Sequence, residues 1–580
     1  ATASSLKYWT ARQHTLKMLQ LLFAGSAPAL SGFVRAGTAG PLPVQADGPF
    51  PARMPATLPG VASTAPYSYF SGFLNAGTPP SGRGEMYFHY ICAMAPDWQN
   101  MPLTIWYNGG PGAPSTFGLF QEFGPFLLTS DSFRTEAYQS SGIPTPLYNP
   151  WTWANVTSLC EIDSPPPMGA SFCTMGNGSA GSIGGPAGDA YSCGPWSDRT
   201  VAAANHKAHR AFFTQAFPEF EASQQPVSFF GESYAGVYVP LFVEAWLDDP
   251  VVGPTGKPIR FAGFGVGNGF PACIPRPGMR IDWCVNLVNV GFFRYPNALP
   301  GPHWDVEFFH GHSQMSESLY RQIRRTCTEE ELLGIAMPLS APCEELITGR
   351  MTKEVGFFYA YNVLEACPEQ VPPSAQRRAE AVRGDGTVDR FGDGDTGLGP
   401  ACLGDAQNAY LGLDVTKRAL GIPLSNNFIV LDNGIGFNYT TDAPFVGPVY
   451  RRAVREGKRV LIYETDMDAS GLSTAPMEDI WVPFFANDTA GVWTPAGRLG
   501  GSDPAFAPLG LEMTTSWRPW GVLPVGRRVQ GGSVIEWERG QVSFASIRGA
   551  GHLAPYYRPA GAFTLMSAFQ AGTSLPPPII

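Results

Sequence analysis

One pattern limits the fold more than any other. Short apolar runs that end in turns recur along the chain, often followed by helical periodicity. They are "PLTIWYN" (102–108), "PVSFF" (226–230), "RFAGFGVGN" (260–268), "KRVLIYE" (458–464) and "QVSFASIRG" (541–549). Apolar runs of this length, without polar alternation, suit strands buried on both faces. After "PVSFF", the segment "YAGVYVPLFVEAWLDD" (234–249) reads as an amphipathic helix. Strands alternating with helices predict an α/β fold, with a mostly parallel central sheet and helices on both faces.

Other stretches set the organisation. Residues 1–65 are rich in Ala, Pro and Gly after a first helix expected at "LKMLQLLFAGSAPA" (16–29), and read as an N-terminal arm. Residues 66–270 hold the first part of the core, opening with "YFSGFLNA" (69–76) and "GEMYFHYICAM" (84–94). Residues 271–404 break the rhythm and carry six of the ten cysteines, which predicts an inserted lid subdomain held by disulfides. Residues 405–580 resume the core. With 67 Gly and 56 Pro in 580 residues, many turns and long ordered loops are expected.

Composition excludes several classes of partner. Only 15% of residues are charged and the net charge is −10, which disfavours nucleic acid and anionic membranes. No run approaches 18 consecutive apolar residues, so no membrane span is expected. The ten cysteines form no CxxC pair, and their even number suits disulfides in an oxidising compartment. Four glycosylation sequons begin at Asn155, Asn177, Asn438 and Asn487. Together these features predict a secreted protein, or one in a vacuolar or lysosome-like compartment. Oligomeric state stays open between monomer and homodimer. Neither His310 with His312 in "FFHGHS" nor the acidic run Asp385, Asp389, Asp393 and Asp395 has metal-ligand spacing, so no metal or other cofactor is expected.

A chemical site emerges around "VSFFGESYAGVYVP" (227–240). Ser233 lies on a tight turn between a buried strand and a helix. That is where an α/β-hydrolase holds its nucleophile, small neighbours permitting the turn and the helix N-terminus favouring negative charge. A serine that merely caps the helix is the alternative. A nucleophilic serine needs a base and an acid, each following its own strand, in the order Ser, acid, His. Of the four histidines after Ser233, three fall in the insertion, and His552 follows "VSFASI" in the Gly-rich "RGAGHLAP". "RVLIYETDMDAS" offers Asp466 and Asp468. Asp468 is preferred because the acid commonly lies a few residues past the strand end, which leaves Asp466 to support the loop. The oxyanion donors expected are the backbone N–H groups of Tyr234 and Gly110, the latter in "WYNGGPGAPS" (106–115).

In that order, "WYNGGPGAPS", "GESYAGVYVP", "YETDMDAS" and "GAGHLAP" resemble the serine carboxypeptidases. So do "FQEFGPF" (120–126) and "YNPWTWANVTSLCEIDSPPPMGASF" (148–172), and the likeness spans about 66–270 and 405–570. It implies an α/β-hydrolase fold and a triad of Ser233, Asp468 and His552. It also implies that Trp106, Asn108, Gly109, Glu122 and Glu232 bind the free C-terminal carboxylate of a peptide. The physics supports this, because two carboxyls held close share a proton and can then donate to a carboxylate. The chain departs from the family at Ala113, Thr465 and Leu553, where Cys, Gly and Met are usual. The function expected is release of C-terminal amino acids from peptides at acidic pH. An acyltransferase or esterase of the same fold is the alternative, and a catalytically silent binding protein a third reading.

Overall fold

The computed structural model describes residues 50–174, 193–272, 303–332, 338–356, 361–364, 404–424, 439–486, 507–522 and 529–578, with a few isolated positions between them. Asn177, Asn438, Asn487, the first helix expected at 16–29 and the acidic run at 385–395 lie outside the described residues.

One twelve-stranded sheet organises the molecule. Its strands are β1 (Met54–Ala56), β2 (Ser68–Asn75), β3 (Met86–Met94), β4 (Leu103–Tyr107), β5 (Ser158–Ile162), β6 (Phe172–Cys173), β7 (Val227–Glu232), β8 (Phe261–Gly267), β9 (Arg459–Thr465), β10 (Met513–Val522), β11 (Val529–Trp537) and β12 (Val542–Ile547). Across the sheet the order is β1-β2-β3-β5-β4-β7-β8-β9-β12-β11-β10, with β6 paired to β3. The six central strands, β5 to β12 in that order, are parallel, and the outer strands are antiparallel. Every apolar run named above forms one of these strands.

Alternation along the strands fills two cores. Tyr107, Phe229, Ile462 and Phe544 point to one face, and their neighbours Trp106, Phe230, Leu461 and Ala545 to the other. The first face is covered by α1 (Asp198–Ala211) and α2 (Ala235–Asp248), through residues such as Ala208, Val237 and Val243. The second is covered in part by α3 (Pro559–Ala571), through Leu565 and Phe569. Both faces are therefore dry, which is why the central runs are apolar throughout.

The insertion forms a separate cluster. Helices His303–Gly311 and Glu317–Thr326 contribute Val306, Phe309, Leu319 and Ile323 to it, and Met467 and Ala469 of the core pack against it. Disulfide Cys327–Cys343 lies inside the cluster, while Cys92–Cys160 and Cys173–Cys193 belong to the core. The expected arm boundary at 65 falls inside the sheet's edge, because Met54–Ala56 pairs antiparallel with β2. The hairpin β10–β11 was not expected from the sequence.

Candidate active site

The site sits at the carboxyl ends of the parallel strands, where loops from β4, β7, β8, β9 and β12 converge. Ser233 follows β7 directly and precedes α2. Its φ is +62°, a left-handed conformation that costs a non-glycine residue energy and turns the chain sharply from strand to helix. The turn is pinned on both sides: Ser233 N donates to Gly267 O (3.1 Å), and Ser233 O accepts from Gly236 N and Phe270 N (2.9 Å each).

Asp468 and His552 meet as expected. His552 Nδ1 lies 2.6 Å from Asp468 Oδ2, and both side chains are buried. The same oxygen accepts from Asn268 Nδ2 at 2.9 Å, from the loop after β8. Asn268 Nδ2 also lies 2.6 Å from Thr465 Oγ1 and 3.0 Å from Leu472 O, so its two hydrogens are shared among three acceptors of the acid loop. Asp466 has the supporting part foreseen for it, with its Oδ1 accepting from Gly549 N at 2.6 Å. Among the described residues, the side-chain hydrogen bond of His552 is to Asp468. A bond to Ser233, a contact often long before substrate binds, is not formed.

The loop after β4 lies against Ser233. A Cβ on Gly109 would stand 2.3 Å from Tyr234 N and 2.8 Å from the Ser233 Cβ, so only glycine allows this approach. Gly110 follows at φ +111°. The two expected oxyanion donors therefore come from segments in direct contact.

Trp106, Asn108, Glu122 and Glu232 form one buried network. Trp106 Nε1 (2.8 Å) and Gly118 N (2.9 Å) donate to Asn108 Oδ1. Asn108 Nδ2 then donates to Glu232 Oε1 (3.0 Å) and Glu122 Oε1 (3.4 Å). Glu122 sits in a π-helical turn (Leu119–Phe123) after the β4 loop. Burial pushes its carboxyl up to about 7, against the pull of hydrogen bonds from Glu232 and Asn108. Burial, and next the Glu122 charge, push Glu232 well above the carboxylate range. Among the described residues, the Oε2 atoms of both acids have no hydrogen-bond partner, so a proton shared by the pair can be offered from there. Asn108 differs from expectation in that its amide hydrogens are spent on the glutamates.

Three supporting groups went unread in the sequence: Asn268, Asp163 and Asp198. Asp163 Oδ1 accepts from Thr116 N (3.2 Å), anchoring the helical turn that carries Glu122. Asp198 accepts from Tyr234 and Tyr439 hydroxyls and from Asp442 N and Ala443 N, all within 2.6–2.8 Å. Burial pushes its carboxyl up, while those four bonds favour the charge.

Among the described residues, His89, Glu161 and Asp163 are the candidate metal ligands, their ligand atoms lying within 4.8 Å of one another. Ser71 Oγ spends its proton on Leu420 O (2.8 Å), so His89 Nε2 must donate to Ser71 (2.9 Å). The lone pair of a neutral His89 is then on Nδ1, 3.7 Å from Asp163 Oδ2. Asp163 is already satisfied by Thr116 and by Ala170 N (3.0 Å). Burial pushes Glu161 well above the carboxylate range, toward a neutral acid. The cluster lies in the β3–β5 layer and plays no part in the chemistry below. In the insertion, His310 pairs with Glu317 and His312 with Phe308 O, so these two do not share a ligand.

Comparison with known proteins decides the family. The serine carboxypeptidase family matches residues 59–572, nearly the whole described fold. The chain belongs to the serine carboxypeptidase family. Serine carboxypeptidase 1 of Hordeum vulgare is 24% identical over 554 residues, covering 89% of this chain and 92% of that protein. The lysosomal protective protein of Mus musculus is 25% identical over 536 residues, covering 88% and 92%. A solved prohormone-processing carboxypeptidase from Saccharomyces cerevisiae aligns with a TM-score of 0.55 at 14% identity, covering 89% of this chain and 95% of that one. At that identity the likeness supports the α/β-hydrolase fold alone. This serine carboxypeptidase has no described helix long and apolar enough to cross a membrane.

Proposed function

We propose that this serine carboxypeptidase removes the C-terminal residue of peptides with Ser233 as nucleophile, His552 as base and Asp468 as its orienting acid. His552 takes the Ser233 proton as the hydroxyl attacks the last peptide carbonyl. The Tyr234 and Gly110 amides hold the oxyanion. His552 then protonates the departing amine, and water releases the acyl group by the reverse sequence.

The observation that carries this reading is the Glu122–Asn108–Glu232 network beside Ser233. Two buried carboxyls with raised titration and unpartnered oxygens would normally be a liability. Against a substrate carboxylate they become proton-bearing donors, and Trp106 and Gly109 shape the wall. This selects a free peptide C-terminus and favours acidic pH, at which the pair holds its protons. The disulfides and the exposed Asn155 sequon suit a secreted or vacuolar, lysosome-like setting.

The test is an N-blocked dipeptide and its C-terminal amide, each incubated between about pH 4 and 7 with and without a serine-directed phosphonate. Release of the amino acid from the free acid alone, abolished by the phosphonate, is the expected result. Hydrolysis of esters with no attack on the free-acid peptide would overturn the carboxypeptidase reading.

A further inference from the structure

Among the described residues, the insertion meets the candidate machinery in one especially direct contact, at Tyr361. Tyr361 lies within residues 271–404, outside the sheet, yet its ring stacks on His552 with centroids 4.6 Å apart and planes 19° apart. Its carbonyl accepts from His552 N at 2.6 Å. Two residues on, Val363 N donates to Met467 O at 2.9 Å, immediately before Asp468. Met467 N in turn donates to Ala550 O at 2.9 Å. One short segment thus closes a three-way junction between itself, the acid loop and the histidine loop.

The fit is tight and local. A Cβ on Gly551 would stand 2.2 Å from Tyr361 O and 2.6 Å from the Asn362 Cβ, so the histidine loop must carry glycine there. The segment is also braced internally, with Asn362 N on Tyr359 O (3.1 Å) and Leu364 N on Asn362 Oδ1 (3.0 Å). Asn362 and Val363 are buried. This is a seated strap, not a surface loop lying nearby.

We infer that Tyr361 is a positioning residue for the proposed base, holding the His552 imidazole in the plane that serves Ser233. The inference rests on the assignment of His552 as the base. Asp468 fixes one edge of the ring through Nδ1, which leaves rotation about that bond as the soft coordinate. A flat aromatic surface over one face removes it, so the direction of Nε2 is set by two contacts at right angles. The same π face attracts the imidazolium that forms when His552 takes the serine proton, an electrostatic benefit realised only as the reaction proceeds. The insertion therefore contributes to the chemistry.

The test compares Tyr361→Ala, Tyr361→Phe and His552→Ala in the full-length protein. The readouts are kcat and KM on an N-blocked dipeptide, the rate of inactivation by a serine-directed phosphonate, and the melting temperature. Tyr361→Ala should lower kcat on the order of 10- to 100-fold, the scale of a misoriented group, with KM within about twofold. Phosphonate inactivation should slow in parallel, because it needs the same proton transfer. Tyr361→Phe keeps the stack and should restore kcat to within about threefold, an outcome that loss of packing alone would not produce if both variants melt alike. A Tyr361→Ala enzyme with normal kcat, or with raised KM alone, overturns the inference. An active His552→Ala enzyme would instead overturn the assignment of the base, a failure distinguishable from that of Tyr361.

Discussion

Asp468 Oδ2 bridges His552 Nδ1 at 2.6 Å and Asn268 Nδ2 at 2.9 Å, so the proposed base and an amide from a neighbouring strand share one carboxylate oxygen. The bridge joins the loops after β8, β9 and β12, and any residue loosening it should act on the histidine at a distance.

Replacing Asn268 by Ala removes a hydrogen bond to a charged acceptor, worth about 1.5–3 kcal/mol. If that loss falls on transition-state alignment, kcat should drop about tenfold or more. KM for peptide should stay close to the original value, because Asn268 does not belong to the Glu122–Glu232 network. Steady-state kinetics on one dipeptide distinguishes the two constants.

Ser233 holds φ at +62° in the interior of a tight turn. Glycine adopts that conformation without strain but loses more entropy on folding, so Ser233→Gly should be inactive yet more stable by about 1 kcal/mol. Ser233→Ala keeps the strain and should be inactive without that gain. Urea denaturation of the three proteins tests both statements.

Peptide binding should weaken as pH rises through about 7, to which burial pushes Glu122, because the pair then surrenders the proton offered to the substrate carboxylate. KM for the free acid should rise across that range. Glu232→Gln should blunt the rise, since a neutral amide does not titrate there. A KM for the free acid that is flat across this range counts against the proton-sharing clamp.

Stability should follow the same sign. A carboxyl titrating higher in the fold than at its ordinary 4.5 is bound more tightly by its proton in the native state. The stability it contributes is therefore full below 4.5 and lost as pH rises through the folded value. Glu122, at about 7, and Asp479, pushed by burial from its ordinary 3.8 to about 7, both act this way. Denaturation midpoints should fall between about pH 4.5 and 7. Constant midpoints would contradict it.

Glu161 is buried on β5, where burial pushes its carboxyl well above the carboxylate range and only a backbone hydrogen bond at Ile91 opposes it. Leucine there removes a polar group that costs about 1–3 kcal/mol to bury. Glu161→Leu should therefore melt higher at neutral pH, with little change in kcat.

Much of this site was readable because it depends on local chain geometry. The strand–turn–helix at 227–249 requires small residues around Ser233, and the chain order of serine, acid and histidine follows from the order of parallel strands. Hairpin β10–β11 escaped notice for the opposite reason. Met513, Trp517 and Val529 are exposed there, so the run lacks the continuous apolar character that marked the central strands. Asp198, Asn268 and Tyr361 carry no local signature, since what distinguishes them is the partner each meets across 36, 200 and 191 residues of sequence.

The sequence by itself determined the α/β alternation, the tight turn at Ser233 and the residue types able to share a proton beside it, because backbone sterics and burial act on neighbours in the chain. Only the tertiary structure decided that Asp468 and not Asp466 meets His552, that Asn108 spends its amide on both glutamates, and that a tyrosine from the insertion lies over the imidazole. Those outcomes depend on how loops from separate strands stack at one end of the sheet, a matter of three-dimensional packing that linear order does not encode.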